Sequence, residues 1–271
     1  MQQKINHEKK ITENMQRITH KIIVLSGKGG VGKSTVTANM AYALSQKGYN
    51  IGILDSDFHG PSIPKIVGIE DKKPESTANG FNPVLVSPHL KVMSIGLLLQ
   101  DKDSPIIWRG PLKMGIAKQF LGDVHWGTLD YLIIDLPPGT GDEPLSIAQL
   151  IPDSDGAIIV TTPQDVALVS VRKSINFVKK MNIPILGIIE NMSGFICPHC
   201  KKRIDIFKAG GAINAAKEFD IPFLGQIPIE PSIVITGDKG EPFLQKHALS
   251  EAGKTYTTII NKIDKTLKER S

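Results

Sequence analysis

Cysteine is almost absent from this 271-residue chain, with Cys197 and Cys200 as the whole thiol inventory. So small a supply excludes a disulfide-stapled secreted fold and points to a reducing compartment, where a close Cys-x-x-Cys pair serves metal binding or redox chemistry. No apolar run reaches the length of a membrane span, and residues 1–20 are polar and charged, without the apolar stretch of a secretory signal. A cytoplasmic protein is expected. Repeats and low-complexity tracts are missing as well. The formal charge of +5 comes from scattered lysines, densest near the ends and at Lys201-Lys202-Arg203. Without a basic face carrying readable motifs, that surplus reads as a solvated surface, and neither nucleic acid nor membrane is an expected partner.

What is present suits one large α/β domain, with 41% hydrophobic and 22% charged residues. Apolar runs of strand length fall at Ile22-Leu25, Ile51-Leu54, Val92-Ile95, Tyr131-Ile134, Ala157-Val160, Ile185-Ile189 and Phe223-Gln226. They are continuous rather than alternating, as expected of parallel strands buried on both faces. Helical stretches lie between them at 33–47, 111–121, 142–150, 164–181, 209–219 and 250–268, which predicts a doubly wound, mostly parallel sheet. Residues 1–20 form a charged leader in which Ile11, Met15 and Ile18 recur at helical spacing, and residues 21–271 make a single domain. Residues 70–90 look least structured. The last helix places Ala252, Tyr256, Ile259, Ile260, Ile263 and Leu267 on one face, for packing against the domain rather than a membrane.

Chemistry concentrates just after the strands. Gly27-Lys28-Gly29-Gly30-Val31-Gly32-Lys33-Ser34, between a strand and a helix, is a phosphate-binding loop: its glycines let backbone N–H groups turn around an anion, Lys33 reaches phosphate oxygens, and the Ser34 hydroxyl suits Mg²⁺. Lys28, at the loop's start, cannot copy the role of Lys33. Asp55 and Asp57 follow the second strand. Asp57 is the candidate for orienting an attacking water, since phosphoryl transfer needs in-line positioning more than a strong base, and Asp55 supports the Mg²⁺ water shell or the loop. Asp135 closes an apolar run and would support Mg²⁺ through water. Pro137, Gly139 and Gly141 in the stiff turn beyond it are candidates for sensing the γ-phosphate.

Asn191 ends another strand, where its amide offers a donor and an acceptor to a purine edge, although asparagine is also an ordinary turn residue. Cys197 and Cys200 stand in a loop at 197–200. Two thiolates at this spacing make half a site, because zinc and iron–sulfur centres normally take four ligands. Three completions remain open: zinc with His199 and other groups, a dithiol redox couple, or one centre shared by two subunits.

Taken together these motifs resemble a family. Gly27 to Thr35 is similar to the deviant Walker A loop of MinD/ParA/NifH-type dimeric ATPases, a SIMIBI class of P-loop NTPase. Asp55 to Ser62, Trp108-Arg109-Gly110-Pro111, Asp135 to Asp142, and Glu190 through Cys200 resemble the Mrp/ApbC (Mrp/NBP35) branch, the iron–sulfur cluster carriers. The resemblance spans about Lys21 to the C-terminus. It implies a homodimer that binds and slowly hydrolyses ATP, with Lys28 reaching the partner's nucleotide as an arginine finger does. It also implies that Cys197 and Cys200 of both copies hold one [4Fe-4S] cluster for delivery from an assembly scaffold to apo-proteins. Carried over by position, Lys33, Ser34 and Thr35 bind phosphate and Mg²⁺, Asp57 positions water, Asp135 supports the metal and Asn191 recognises adenine. Many relatives carry a small N-terminal domain or a cysteine-rich N-terminal extension; neither is found here, so a separate protein is expected to select partners. Two other readings stand beside this one: a MinD/ParA-like positioning or partitioning switch, and a zinc-stabilised regulatory ATPase.

Overall fold

The structure, a computed structural model, describes residues 2–99, 110–197, 199–200, 202–207 and 210–270. The first part of the chain runs α1 (Gln2–Met15), β1 (Ile18–Leu25), α2 (Lys33–Gln46), β2 (Ile51–Asp55), α3 (Ile63–Ile66), β3 (Glu75–Thr77), β4 (Gly80–Asn82), β5 (Val84–Ser87) and β6 (Leu90–Ser94). The middle holds α4 (Gly110–Gly122), β7 (Leu129–Asp135), α5 (Asp142–Ala148), β8 (Gly156–Thr161), α6 (Asp165–Lys180) and β9 (Ile185–Glu190). The last part contains β10 (Phe195–Ile196), β11 (Arg203–Ile204), α7 (Gly211–Phe219), β12 (Phe223–Gln226), α8 (Pro231–Asp238), α9 (Phe243–His247) and α10 (Glu251–Lys268).

Eight strands form one sheet in the order β12-β9-β8-β1-β7-β2-β6-β5. All neighbours are parallel except the edge pair β5 and β6. Isoleucine, valine and leucine fill the central strands because each face of the sheet meets a layer of helices, so both faces must be apolar. The two-residue period of a strand divides those side chains between two cores. Ile22, Val24, Tyr131 and Ile133 join the core under α2 and α10, whereas Ile23, Leu25, Leu132 and Ile134 join the one under α1, α4, α6 and α7. The doubly wound, mostly parallel sheet expected from the sequence is the fold observed.

Several local expectations change. Ile11 and Met15 are buried on α1, which packs on α4, but Ile18 begins β1 instead of extending the leader helix. Asn14 explains the attachment: its Nδ2 donates to Leu121 O at 2.8 Å and Val124 O at 2.7 Å, satisfying carbonyls at the end of α4. Residues 70–90 are not structureless either. They hold the β3/β4 hairpin and the antiparallel edge strand β5.

Register is what brings the chemistry together. Asp55 lies beside Asp135, which lies beside Val24, so β2, β7 and β1 deliver their carboxyl ends to one edge of the sheet. That edge is where open α/β sheets bind ligands.

On the opposite layer, α10 buries Ala252, Tyr256, Ile259, Ile260, Ile263 and Leu267. Fully burying one such large apolar side chain is worth about 1.5–3 kcal/mol. Asp264 ties this helix to the sheet, accepting a hydrogen bond from the buried Tyr131 hydroxyl at 2.8 Å, from Tyr49 Oη at 3.2 Å and from Lys268 Nζ at 3.3 Å. Partial burial raises the carboxyl's affinity for a proton, but hydrogen bonds from Tyr131 and Lys268 and the charge of Lys268 outweigh it and hold Asp264 below the usual carboxylate range. Replacing Asp264 with Ala strands the Tyr131 hydroxyl and is expected to cost about 1–3 kcal/mol in urea unfolding at pH 7. Because the folded value is depressed, the gap between wild type and variant should be full at neutral pH and narrow as the pH falls below about 4; a gap that widens in acid would contradict this account.

Candidate functional site

The loop between β1 and α2 is held in shape from three directions. Gly30 and Gly32 adopt φ of 76° and 79°, a region that favours glycine. A Cβ at Gly32 would stand 2.3 Å from the Asn191 amide nitrogen, and one at Gly27 would stand 2.4 Å from Ser170 O of α6. Neither position has space for a side chain. From below, Gly139 N donates to Ser26 O at 2.8 Å, joining the turn after β7 to the loop's entrance.

No side chain caps the N-terminus of α2, so its first N–H groups remain available to an anion. They face a cavity of about 250 Å³ lined by Ser26, Gly29 to Thr35, Asp57, Gly60, Ser62 and Pro138. Inside it the polar side chains converge on Asp135, which is fully buried. Lys33 Nζ stands 2.6 Å from Asp135 Oδ2, Ser34 Oγ donates to the same oxygen at 2.6 Å, and Thr37 Oγ1 donates to Oδ1 at 2.7 Å. Here the carboxylate supplies the negative charge that a phosphate would bring. A hydroxyl and a carboxylate beside an anion-binding loop are also oxygen donors suited to Mg²⁺. Ser34 and Asp135 are therefore the residues that would hold it, its chemistry being to neutralise phosphate charge.

The two other acids are placed differently from each other. Asp57 lines the cavity, and its Oδ1 accepts from His59 N and Gly60 N, both at 3.3 Å, in a tight turn. Asp55 is fully buried, accepting from Ser94 Oγ at 2.9 Å and Asp57 N at 3.2 Å. Burial, reinforced by the nearby Asp135 carboxylate, pushes its pKa up to about 8. By accepting from Asp57 N, Asp55 shapes the Asp57 turn from behind. Ser56 completes the junction by donating from N at 3.0 Å and Oγ at 2.7 Å to Asp135 O. Pro137 is buried behind this junction, Gly139 takes a φ of 97°, and Gly141 leads into α5.

Lys28 does not join the Asp135 cluster. Its Nζ donates to Gln164 Oε1 at 3.0 Å, at the start of α6. Asn191 lies behind the loop, with Nδ2 donating to Val31 O at 2.9 Å. Cys197 and Cys200 sit on the β10/β11 hairpin, closed by Cys197 N donating to Lys202 O at 3.0 Å. Both are thiols, Cys200 exposed and Cys197 half-buried. Among the described residues no group of three or more His, Cys, Asp and Glu is placed to hold a metal ion. Exposed Ile204, Ile206 and Phe207 follow the pair along the chain. The Trp108-Arg109 part of the sequence motif lies outside the described residues.

Sequence reasoning missed Thr37, Gln164, Lys113 and Glu143. Thr37 carried a local signal, since it falls one helical turn after Lys33; the others are brought in only by the fold. His59, exposed at the surface, contacts Lys113 Nζ at 2.5 Å and Glu143 Oε2 at 3.2 Å.

A parallel sheet ending in a glycine loop, an uncapped helix and a buried Lys-Ser-Thr-Asp cluster defines a P-loop NTPase of the MinD/ParA type. The chain belongs to the ParA family, in the group described as NUBPL iron-transfer P-loop NTPase, whose model matches residues 17–264. It is 54% identical over 257 residues to an iron-sulfur cluster carrier protein of Methanocaldococcus jannaschii, covering 94% of this chain and 89% of that one. A carrier of the same description from Saccharolobus solfataricus is 49% identical over 256 residues, covering 94% and 86%. Among solved structures, a nucleotide-binding protein of Archaeoglobus fulgidus in complex with ADP superposes with a TM-score of 0.78 at 42% identity, covering 87% of this chain and 92% of that one. The cell division ATPase MinD of Pyrococcus furiosus shares the fold, with a TM-score of 0.63 at 23% identity over 92% and 99% of the chains. No helix among the described residues is long and apolar enough to cross a membrane.

Asp135→Asn removes the negative partner of a buried lysine. The nucleotide-free variant should lose about 3–5 kcal/mol of stability, read by urea unfolding. Added ATP should recover more stability in the variant than in wild type, because phosphate returns the missing charge; equal stabilisation of the two would refute the exchange of one anion for the other.

Proposed function

We propose that this chain is an ATP-hydrolysing carrier of iron–sulfur clusters, which holds a [4Fe-4S] cluster between two copies of itself and hands it to apo-proteins. The observation that carries the reading is the half-site: a hairpin offering two thiols, while among the described residues no three of His, Cys, Asp and Glu form a group placed to hold a metal ion. A second copy supplies the missing pair. The cluster is cargo, received from an assembly scaffold in a reducing cytoplasm and released by ligand exchange to the recipient's thiolates.

The nucleotide site provides control. On binding ATP, Lys33 transfers its charge from Asp135 to phosphate, Ser34 and Asp135 hold Mg²⁺, Thr35 and the backbone of Gly27 to Gly32 cradle phosphate oxygens, and Asp57 orients the attacking water. Asn191 reads the adenine edge from its place behind Val31. Pro137, Gly139 and Gly141 sense the γ-phosphate through the contact with Ser26, and Asp55 keeps the Asp57 turn in place. Lys28 lets go of Gln164 and reaches the partner's ATP, so that hydrolysis depends on the dimer.

Anaerobic reconstitution should give one [4Fe-4S] per dimer, measured by iron and sulfide content and by absorbance. The Cys197→Ala, Cys200→Ala double variant should bind none while still binding ATP, and retention of the cluster would overturn the proposal. ATP-dependent liposome or DNA binding that survives loss of both thiols would favour a positioning ATPase instead.

Lys28→Ala tests the shared active site separately. Turnover should fall at least about tenfold, since a charge supplied in trans acts on the transition state, while the ATP dissociation constant from equilibrium titration stays within about threefold. Unchanged turnover would place Lys28 outside the chemistry.

A further inference from the structure

The nucleotide cavity is bordered by two loops from different strands: residues after β2, carrying Asp57, and residues after β7, carrying Pro137 to Gly141. A third element touches both. Lys113 of α4 points its ammonium between them, with Nζ 2.5 Å from His59 Nε2 and 3.1 Å from Glu143 Oε2. His59 belongs to the Asp57 turn, whose backbone N–H is one of the two bonded to the Asp57 carboxylate. Glu143 stands in the first turn of α5, two residues after Gly141.

The location of this lysine is costly. Its side chain is only 9% exposed, and it lies in the first turn of α4, where the helix dipole disfavours a cation. An apolar residue would fill the place at less cost if packing were the sole requirement. The ammonium is also the proton donor that the cluster needs. Lys113 Nζ donates to Glu143 Oε2 and approaches His59 Nε2, which itself lies 3.2 Å from Glu143 Oε2, so groups from three elements meet around one ammonium. The other carboxylate oxygen, Glu143 Oε1, is buried with no hydrogen-bond partner among the described residues. Take the cation away and Glu143 loses the ammonium that ties it to α4 and, through that ammonium, to the His59 turn.

We infer that Lys113 is a positioning residue for nucleotide hydrolysis: its ammonium clamps the Asp57 loop to the loop entering α5, so that the water-orienting group and the phosphate-sensing turn move as one. The assignment rests on the reading of Asp57 as the residue that orients water. Lys113 itself does not line the nucleotide cavity.

Two measurements on the full chain test it. In the nucleotide-free protein, Lys113→Met should speed amide hydrogen exchange about threefold or more in both segments, 57–62 and 137–143. In steady-state ATPase assays the same variant should lower kcat about tenfold with KM for ATP within about twofold, Glu143→Gln should do likewise, and the double variant should be no worse than the poorer single. Lys113→Arg, which keeps the charge, should recover most of the lost turnover. Faster exchange in one segment alone, or losses that add in the double variant, would overturn the clamp. Asp57→Asn separates the two ideas. If that variant abolishes turnover while Lys113→Met matches wild type in exchange and kcat, the clamp fails and the Asp57 reading stands. If Asp57→Asn hydrolyses ATP normally, the Asp57 reading fails, and the exchange of the two segments still decides whether Lys113 joins them.

Discussion

An ammonium and a carboxylate 2.6 Å apart, both withdrawn from water, organise the nucleotide end of this molecule. Lys33 and Asp135 come from segments far apart in sequence, and neither charge is tolerable in that place without the other. Hydroxyls of Ser34 and Thr37 complete the carboxylate's coordination, while Ser56 fastens the Asp135 carbonyl to the end of β2. The result fixes β7 against α2 and β2 before any nucleotide arrives. It also sets the energetics of binding. In the proposed exchange, phosphate replaces one anion by another around a lysine whose desolvation is already met, which makes the loop preorganised for it.

This explains which parts were legible in the sequence. Strands β1, β2, β7, β8 and β9 announce themselves as continuous apolar runs because burial on both faces leaves no polar alternation, and the phosphate loop is a local motif whose meaning does not depend on distant residues. The edge of the sheet obeys other rules. Val84 to Ser87 pairs antiparallel with β6, and its apolar run, Val84-Leu85-Val86, is too short to mark a strand by itself. Ile18 continued the helical spacing of Ile11 and Met15, yet pairing with Leu129 drew it into β1, a tertiary choice overriding a local period. Lys33, Ser34, Asp57 and Asp135 were readable as one site because each closes or follows a strand. Gln164, Lys113 and Glu143 were not, since a lone polar residue in a helix's first turn carries no mark of what the fold places opposite it.

The segment from Glu190 to Cys197 joins the two kinds of chemistry. Asn191 touches the phosphate loop through Val31 O, Met192 and Gly194 take φ of 57° and 77°, and Ser193 O accepts from Arg203 Nη2 at 3.2 Å in the cysteine hairpin. Glu190 steadies the whole stretch. Fully buried at the end of β9, its carboxylate accepts from Ser193 Oγ at 2.7 Å, Gln226 Nε2 at 2.8 Å, Ala212 N at 2.8 Å and Gly210 N at 3.3 Å. The last two are donors at the start of α7, so one acid serves as strand terminus, helix cap and anchor of the hairpin's root.

Such an anchor argues about where motion is possible. With Glu190 bonded to β12 and α7, and Ile229 N donating to Gly194 O at 2.7 Å, the hairpin's base cannot drift independently of the sheet. A rearrangement of the phosphate loop therefore meets a stiff junction at Asn191. In a dimer that shares ligands between tips, small rigid-body changes between subunits alter the thiol separation more readily than deformation within either one. Under the proposed function, control of cargo by nucleotide is then a matter of how two intact subunits approach each other, the step at which the proposed reach of Lys28 across the dimer would act.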